Sequence, residues 1–166
     1  MKTTSDRIVV GVDGSACSVQ ALRWALREAL TSGAEVEVVL VWSDPWRIVG
    51  PPTLFGAGRQ GLRRLKEMLD DRVRQAVAAE KASSVVVTQH VVAGNPAETL
   101  VERSATARLL VVGTTGHSEL RRWMLGSVSQ RCGHLSKIPL VLVPTPDAHL
   151  EAPVDAPSFG QDRASP

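Results

Sequence analysis

The chain has 166 residues, 43% of them hydrophobic and 22% charged, which suits one globular domain burying roughly two thirds of the surface its unfolded chain exposes and excludes a mainly disordered protein. Nineteen basic against 17 acidic residues leave a net charge of +2, too even for a nucleic-acid footprint, so any bound anion must be held by local geometry. Apolar runs such as Val38 to Trp42 fall far short of the ~20 residues a membrane-spanning helix needs, and Met1 to Arg7 meets a strand-like segment without an apolar signal core, so a cytoplasmic address is expected.

Arg7 to Val12 is a β-branched run that ends in the turn cluster Asp13-Gly14-Ser15 and is followed by Leu22, Ala25, Leu26, Ala29 and Leu30 at helical spacing. Gly33 stops that helix, and Glu35 to Trp42 reads as a second, nearly continuously buried strand. Ser43 to Gly61 holds Pro45, Pro51, Pro52 and several glycines and predicts a long loop. From Leu62 to about Ala82, Leu65, Leu69, Val73, Ala76 and Val77 recur every three or four residues, an amphipathic helix whose basic side chains are interspersed with acids as a solvated face. Ser84 to Val92 predicts the third strand. Asn95 then caps a short helix, with Pro96 at its first position and Glu98 placed for a capping box. Arg108 to Val112 is the fourth strand, Gly113 to Gly126 a glycine-bearing loop, Ser127 to Leu135 a helix, and Leu140 to Val143 the fifth strand between Pro139 and Pro144. Thr145 to Pro166, proline-rich and apolar-poor, is expected to be a disordered tail beyond a single domain over residues 1–144.

Five strands alternating with four helices predict an α/β fold with a parallel sheet covered on both faces. Such sheets bind ligands beyond the carboxyl ends of their strands, where the strand order reverses. Two loops there carry signals: Asp13-Gly14-Ser15, and Gly113-Thr114-Thr115-Gly116 followed after nine residues by Gly126-Ser127. A helix opening at Gly126-Ser127 offers unpaired amides and a partial positive charge, so Ser127, Val128 and Ser129 make a ready anion site, with phosphate as the natural guest.

This combination resembles the universal stress protein family, in particular its nucleotide-binding branch with the signature G-x2-G-x9-G-[ST], which Gly113, Gly116, Gly126 and Ser127 match. Val10 to Ser15, Gly94-Asn95-Pro96 and Ile138 to Val143 are similar to the family's first strand and turn, its G-x-P and its last strand; the likeness runs from about residue 7 to 144. It implies an adenine-nucleotide-binding, Rossmann-like fold with strand order 3-2-1-4-5 and a homodimer through Leu140–Val143. It also implies a ligand set: Val12 and Asp13 toward adenine and ribose, Val41 at adenine through its backbone, Gly113, Thr115 and Gly116 along ribose and phosphates, and Gly126, Ser127, Val128 and Ser129 on the phosphates. Thr115 stands where an arginine is frequent in the family, and His117 to Arg122 is more charged than the run often found there.

Other motifs carry less. Gly56-Ala57-Gly58-Arg59-Gln60-Gly61 spells GxGxxG but follows a proline-rich loop instead of a strand. A Walker lysine is absent from the sequence, His90, His117, His134 and His149 lack ligand spacing, and Cys17 and Cys132 read as small buried residues. Ser15, Ser127 and Ser129 have no motif-placed base, so binding is expected rather than turnover, with Asp13 able to hold Mg²⁺ and at most slow ATP hydrolysis. An ATP-binding, stress-linked regulatory protein is the leading reading, beside a cyclic-nucleotide binder on the same fold and an interaction module with an empty pocket.

Overall fold

The computed structural model describes residues 6–42, 59–114 and 125–144. The expected tail, the interior of the loop after the second strand, and Thr115 to Met124, with His117, Arg121 and Arg122, lie outside the described residues. Among the described residues, five parallel strands, β1 (Arg7–Val12), β2 (Glu35–Trp42), β3 (Val87–Ala93), β4 (Leu109–Gly113) and β5 (Leu140–Val143), form one sheet in the order β3-β2-β1-β4-β5. Four helices alternate with them: α1 (Ala16–Ser32), α2 (Arg59–Ala79), α3 (Pro96–Ser104) and α4 (Ser127–Leu135).

Strand alternation sorts the apolar residues into two layers. Ile8, Val10, Val36, Val38 and Leu40 face α1 and α2, where Leu22, Leu26, Leu69 and Val73 meet them. Val9, Val39, Leu110 and Val112 face the other side and are covered by Ala97, Leu100 and Cys132 of α3 and α4. β1 is the pivot, because the chain runs outward from it to β2 and β3, then returns to its other side for β4 and β5.

β4 runs Leu109–Gly113, one residue later than expected, α2 ends at Ala79 and β3 at Ala93, and two element starts differ from the sequence expectation by three residues. α2 begins at Arg59, three residues before Leu62, with Gly61 inside its first turn; Arg59 and Gln60 are good helix formers, and one glycine near a helix start costs little. β3 begins at Val87, not Ser84, because the residues before it complete the exit from α2. There the Lys81 amide bonds Ala78 O and the Ala82 amide bonds Val77 O, a Schellman closure with Lys81 at φ 53° where glycine is usual. Asn95 caps α3 as expected, accepting from the Glu98 amide at 3.3 Å, but the Glu98 carboxylate turns instead to Arg131 of α4 at 2.7 Å.

Charge is buried at the amino end of the sheet. Glu37 of β2 is 2% exposed and is held by Arg7 of β1 at 2.8 Å and by Arg103 Nε of α3 at 2.7 Å, with His90 of β3 at 3.8 Å. A second clamp joins α1 to the end of α2: Arg23 and Arg27 reach Glu80 at 2.5 and 3.2 Å, and its side chain is 9% exposed. Burial pushes the Glu80 carboxyl up, but the hydrogen bond from Arg23 and the charges of Arg27 and Arg23 outweigh it and hold the group below its ordinary 4.5. A carboxyl lowered by folding stabilises the fold above its unfolded value and loses that contribution as pH falls through the folded one. Thermal melts should therefore show wild type more stable than Glu80→Gln near neutrality, with the gap closing below about pH 4.5; a gap independent of pH would remove the ionised carboxylate as its cause.

Candidate nucleotide site at the carboxyl ends of β1 and β4

The turn after β1 is built from its own side chains. The Asp13 carboxylate accepts from the Ser15 amide at 2.9 Å, the Ser15 hydroxyl oxygen accepts from the Ser18 amide at 3.2 Å as the N-cap of α1, and the Ser18 hydroxyl donates to Ser15 O at 2.9 Å. Gly14 makes this possible at φ +86°, a conformation that resists a side chain. Met68 of α2 closes over it, its sulfur 3.3 Å from where a Cβ on Gly14 would stand. The void beneath, lined by Val12, Ser18, Leu22, Leu40 and Met68 among others, measures about 10 Å³, at the limit for a single water. A void of that size does not admit a nucleotide.

Gly113, the last residue of β4, is constrained from within. A Cβ there would lie 2.7 Å from Cys17 Sγ and 3.1 Å from the Cys17 carbonyl carbon, so the missing side chain is space that the first turn of α1 occupies. The Cys17 thiol donates to Val143 O of β5 at 3.2 Å. Thr114 then ties three elements together through its backbone: its amide donates to Val143 O at 2.9 Å, and its carbonyl accepts from the Gly126 amide at 2.7 Å. Sequence reasoning gave neither Thr114 nor Cys17 a part in the site, since the groups they use there are ones that carry no motif.

α4 starts at this junction with Gly126 as N-cap (φ −63°, ψ 157°) and no side-chain cap. The first amide bonded back into the turn is Gln130, to Gly126 O at 2.9 Å. Among the described residues no acceptor meets the amides of Ser127, Val128 and Ser129, whereas α1 and α3 each have a side-chain cap. Ser127 is exposed at the helix start, Val128 is half-buried beside it, and Ser129 is buried with its hydroxyl turned to backbone carbonyls. Val12 is buried and Asp13 exposed at the end of β1, and the register Val12↔Leu40 carries on to bring half-buried Val41 level with Asp13. The described members of the expected set thus lie along the carboxyl edge of β2, β1 and β4 and the start of α4; Thr115 and Gly116 lie outside the described residues. Of the two cysteines, Cys132 sits in the α3/α4 core, where burial pushes its thiol up to about 11 and keeps it protonated.

The sequence profile of the Universal stress protein family matches residues 4–144. The chain belongs to the universal stress protein family. A universal stress protein of Mycobacterium tuberculosis is 36% identical over 135 residues, covering 81% of this chain and 44% of the relative, and a second from that organism is 30% identical over 139 residues with the same coverage. The chain therefore spans less than half the length of these curated relatives. Among solved structures, a universal stress protein in complex with cAMP is 27% identical with a TM-score of 0.63, covering 87% of this chain and all of that one. A universal stress protein from Archaeoglobus fulgidus, 22% identical with a TM-score of 0.63 over 82% of this chain and 97% of that one, shares the fold. As a universal stress protein, the chain has the strand order its motif implied, with four helices on the two faces among the described residues.

Because Gly113 faces Cys17, substituting it perturbs α1 before it perturbs a ligand. Gly113→Ala should cost about 1–3 kcal/mol in denaturant unfolding. Cys17→Ala in the same chain should restore only part of that loss, since the Cys17 backbone remains at 3.1 Å. A neutral Gly113→Ala would show that the β4–α1 contact yields freely.

Proposed function

We propose that this universal stress protein is a cytoplasmic regulatory protein that binds an adenine nucleotide, ATP with Mg²⁺ in the leading reading, at the carboxyl edge of β1 and β4. One observation carries the proposal: the Asp13–Ser15 turn and the uncapped start of α4 follow β1 and β4, the two neighbouring strands between which the strand order reverses. Three amides without acceptors among the described residues, at a helix N-terminus, suit a phosphate group. The glycine signature completed by Gly116 gives the same reading from sequence. Asp13 is the carboxylate that would hold Mg²⁺ against the phosphates, and Val41 would meet adenine through its backbone. A cyclic nucleotide is the second reading, favoured by the cAMP complex of a 27% identical family member. Neither reading requires turnover.

ATP at a hundredfold excess over its dissociation constant should raise stability by roughly 2.7 kcal/mol, read as a thermal shift. Ser127→Ala should weaken binding by on the order of 1 kcal/mol while leaving the helix amides in place. No shift with ATP and full competition by cAMP would favour the second reading; no response to either would end both.

We propose further that β5 pairs with a second copy. Leu110 donates to Pro139 O and Thr114 to Val143 O, so the alternation turns the backbone groups of Leu140 and Leu142 away from β4 toward an open edge. Leu142→Pro, which removes an outward amide without touching the β4 ladder, should give a monomer by light scattering; an unchanged dimer mass would move the interface elsewhere.

A further inference from the structure

Ser129 is the third residue of α4 and is 2% exposed. Its hydroxyl lies 2.9 Å from Thr114 O and 2.8 Å from Gly126 O, the two carbonyls that flank the junction between β4 and α4. Both carbonyls already have a backbone donor: Gly126 N–H reaches Thr114 O at 2.7 Å and Gln130 N–H reaches Gly126 O at 2.9 Å. The hydroxyl therefore rescues no unpaired group. Its single proton is shared between Gly126 O within the helix start and Thr114 O at the end of β4, and the share on Thr114 O adds a second tie between that strand end and the first turn of α4. A site made of backbone amides has no rotamer with which to correct a misaimed helix, so the affinity of its charge-assisted bonds depends on the direction in which the helix leaves the strand.

We infer that Ser129 is a positioning residue, whose hydroxyl anchors α4 to Thr114 and thereby aims the amides of Ser127 and Val128, and that it does not touch the nucleotide through its side chain. The inference rests on the nucleotide reading given above and leaves the phosphate contact that the family resemblance implied for Ser129 to its backbone amide alone. The donor is already committed inside the protein and shielded from solvent, so reaching a phosphate would require breaking the tie. Removing the hydroxyl leaves both carbonyls bonded, so Ser129→Ala is a variant that folds.

The test uses the full chain, with ATP and adenosine as probes in calorimetry and amide hydrogen exchange at Gly126 measured without nucleotide. Ser129→Ala should lose on the order of tenfold in ATP affinity and nothing in adenosine affinity, because only the phosphates depend on the helix amides. Ser129→Thr, which keeps the hydroxyl, should restore ATP binding. In the nucleotide-free protein the Gly126 amide should exchange faster in Ser129→Ala than in wild type. An ATP loss with unchanged Gly126 exchange would make the hydroxyl a direct ligand and overturn the inference, as would unchanged ATP affinity or an equal loss for adenosine. Wild-type protein that binds neither probe would instead overturn the nucleotide reading, and the role of Ser129 with it, an outcome distinct from every variant result.

Discussion

The absence of a side chain at Gly113 sets how closely α1 can approach the end of β4. With no Cβ there, Cys17 moves in until its sulfur would stand 2.7 Å from one, and its thiol bonds the last carbonyl of β5. The first turn of α1 thus rests on two strands that come much later in the chain, and the bond from Cys17 to Val143 spans 126 positions of sequence. Protein interiors transmit such contacts because they are close-packed and deform little. The β1–α1 turn, the end of β4 and the start of α4 are consequently one rigid edge and not three independent loops.

Most of the fold was legible because its punctuation is local. β-branched runs, Gly33, the Asn95-Pro96 pair and Pro139 mark element ends by chemistry that acts within a few residues, and β1, β2, α4 and β5 fall where those marks stand. The miss at β3 has the opposite cause: Lys81 takes a left-handed conformation that a glycine would have announced, and Ser84 to Val86 read as strand while belonging to the connection. In the candidate site, glycines and a helix start were visible by residue type. The junction at Thr114 was not, because it works through an amide and a carbonyl. Glu37 was hidden for a third reason. Alternating with valines in Glu35-Val36-Glu37-Val38, it has the pattern of a solvent-facing position, and only the fold brings Arg103 to it from 66 residues away.

The two ends of the sheet divide electrostatic labour. At the amino end, Arg7 and Arg103 surround a buried carboxylate, and Arg7 also donates to the last-turn carbonyl of Arg103, so the carboxylate there is paired and fixed. Breaking such a pair leaves an uncompensated buried charge, which is why it holds β1, β2 and α3 in register. At the carboxyl end, the start of α4 keeps its dipole unopposed by any side-chain cap among the described residues. A near-neutral chain can therefore present a local positive potential at one edge without a basic surface, since the source is backbone orientation rather than lysine or arginine.

The alternation along β5 also limits what its edge can do. Only Leu140 and Leu142 turn backbone groups outward, about four hydrogen-bonding groups in all, and each bond contributes about 1 kcal/mol net against an association cost of several. Backbone zippering of so short a strand sets register and direction but does not hold two copies together. In the proposed pairing, adhesion would fall to the apolar shoulders, half-buried Ile138, Leu140 and Leu142 with exposed Leu135 at the end of α4. Such an interface, aligned by the main chain and held by side chains, would accept a non-identical partner that keeps the strand and varies the shoulders, so these aliphatic residues would decide subunit mixing among related chains.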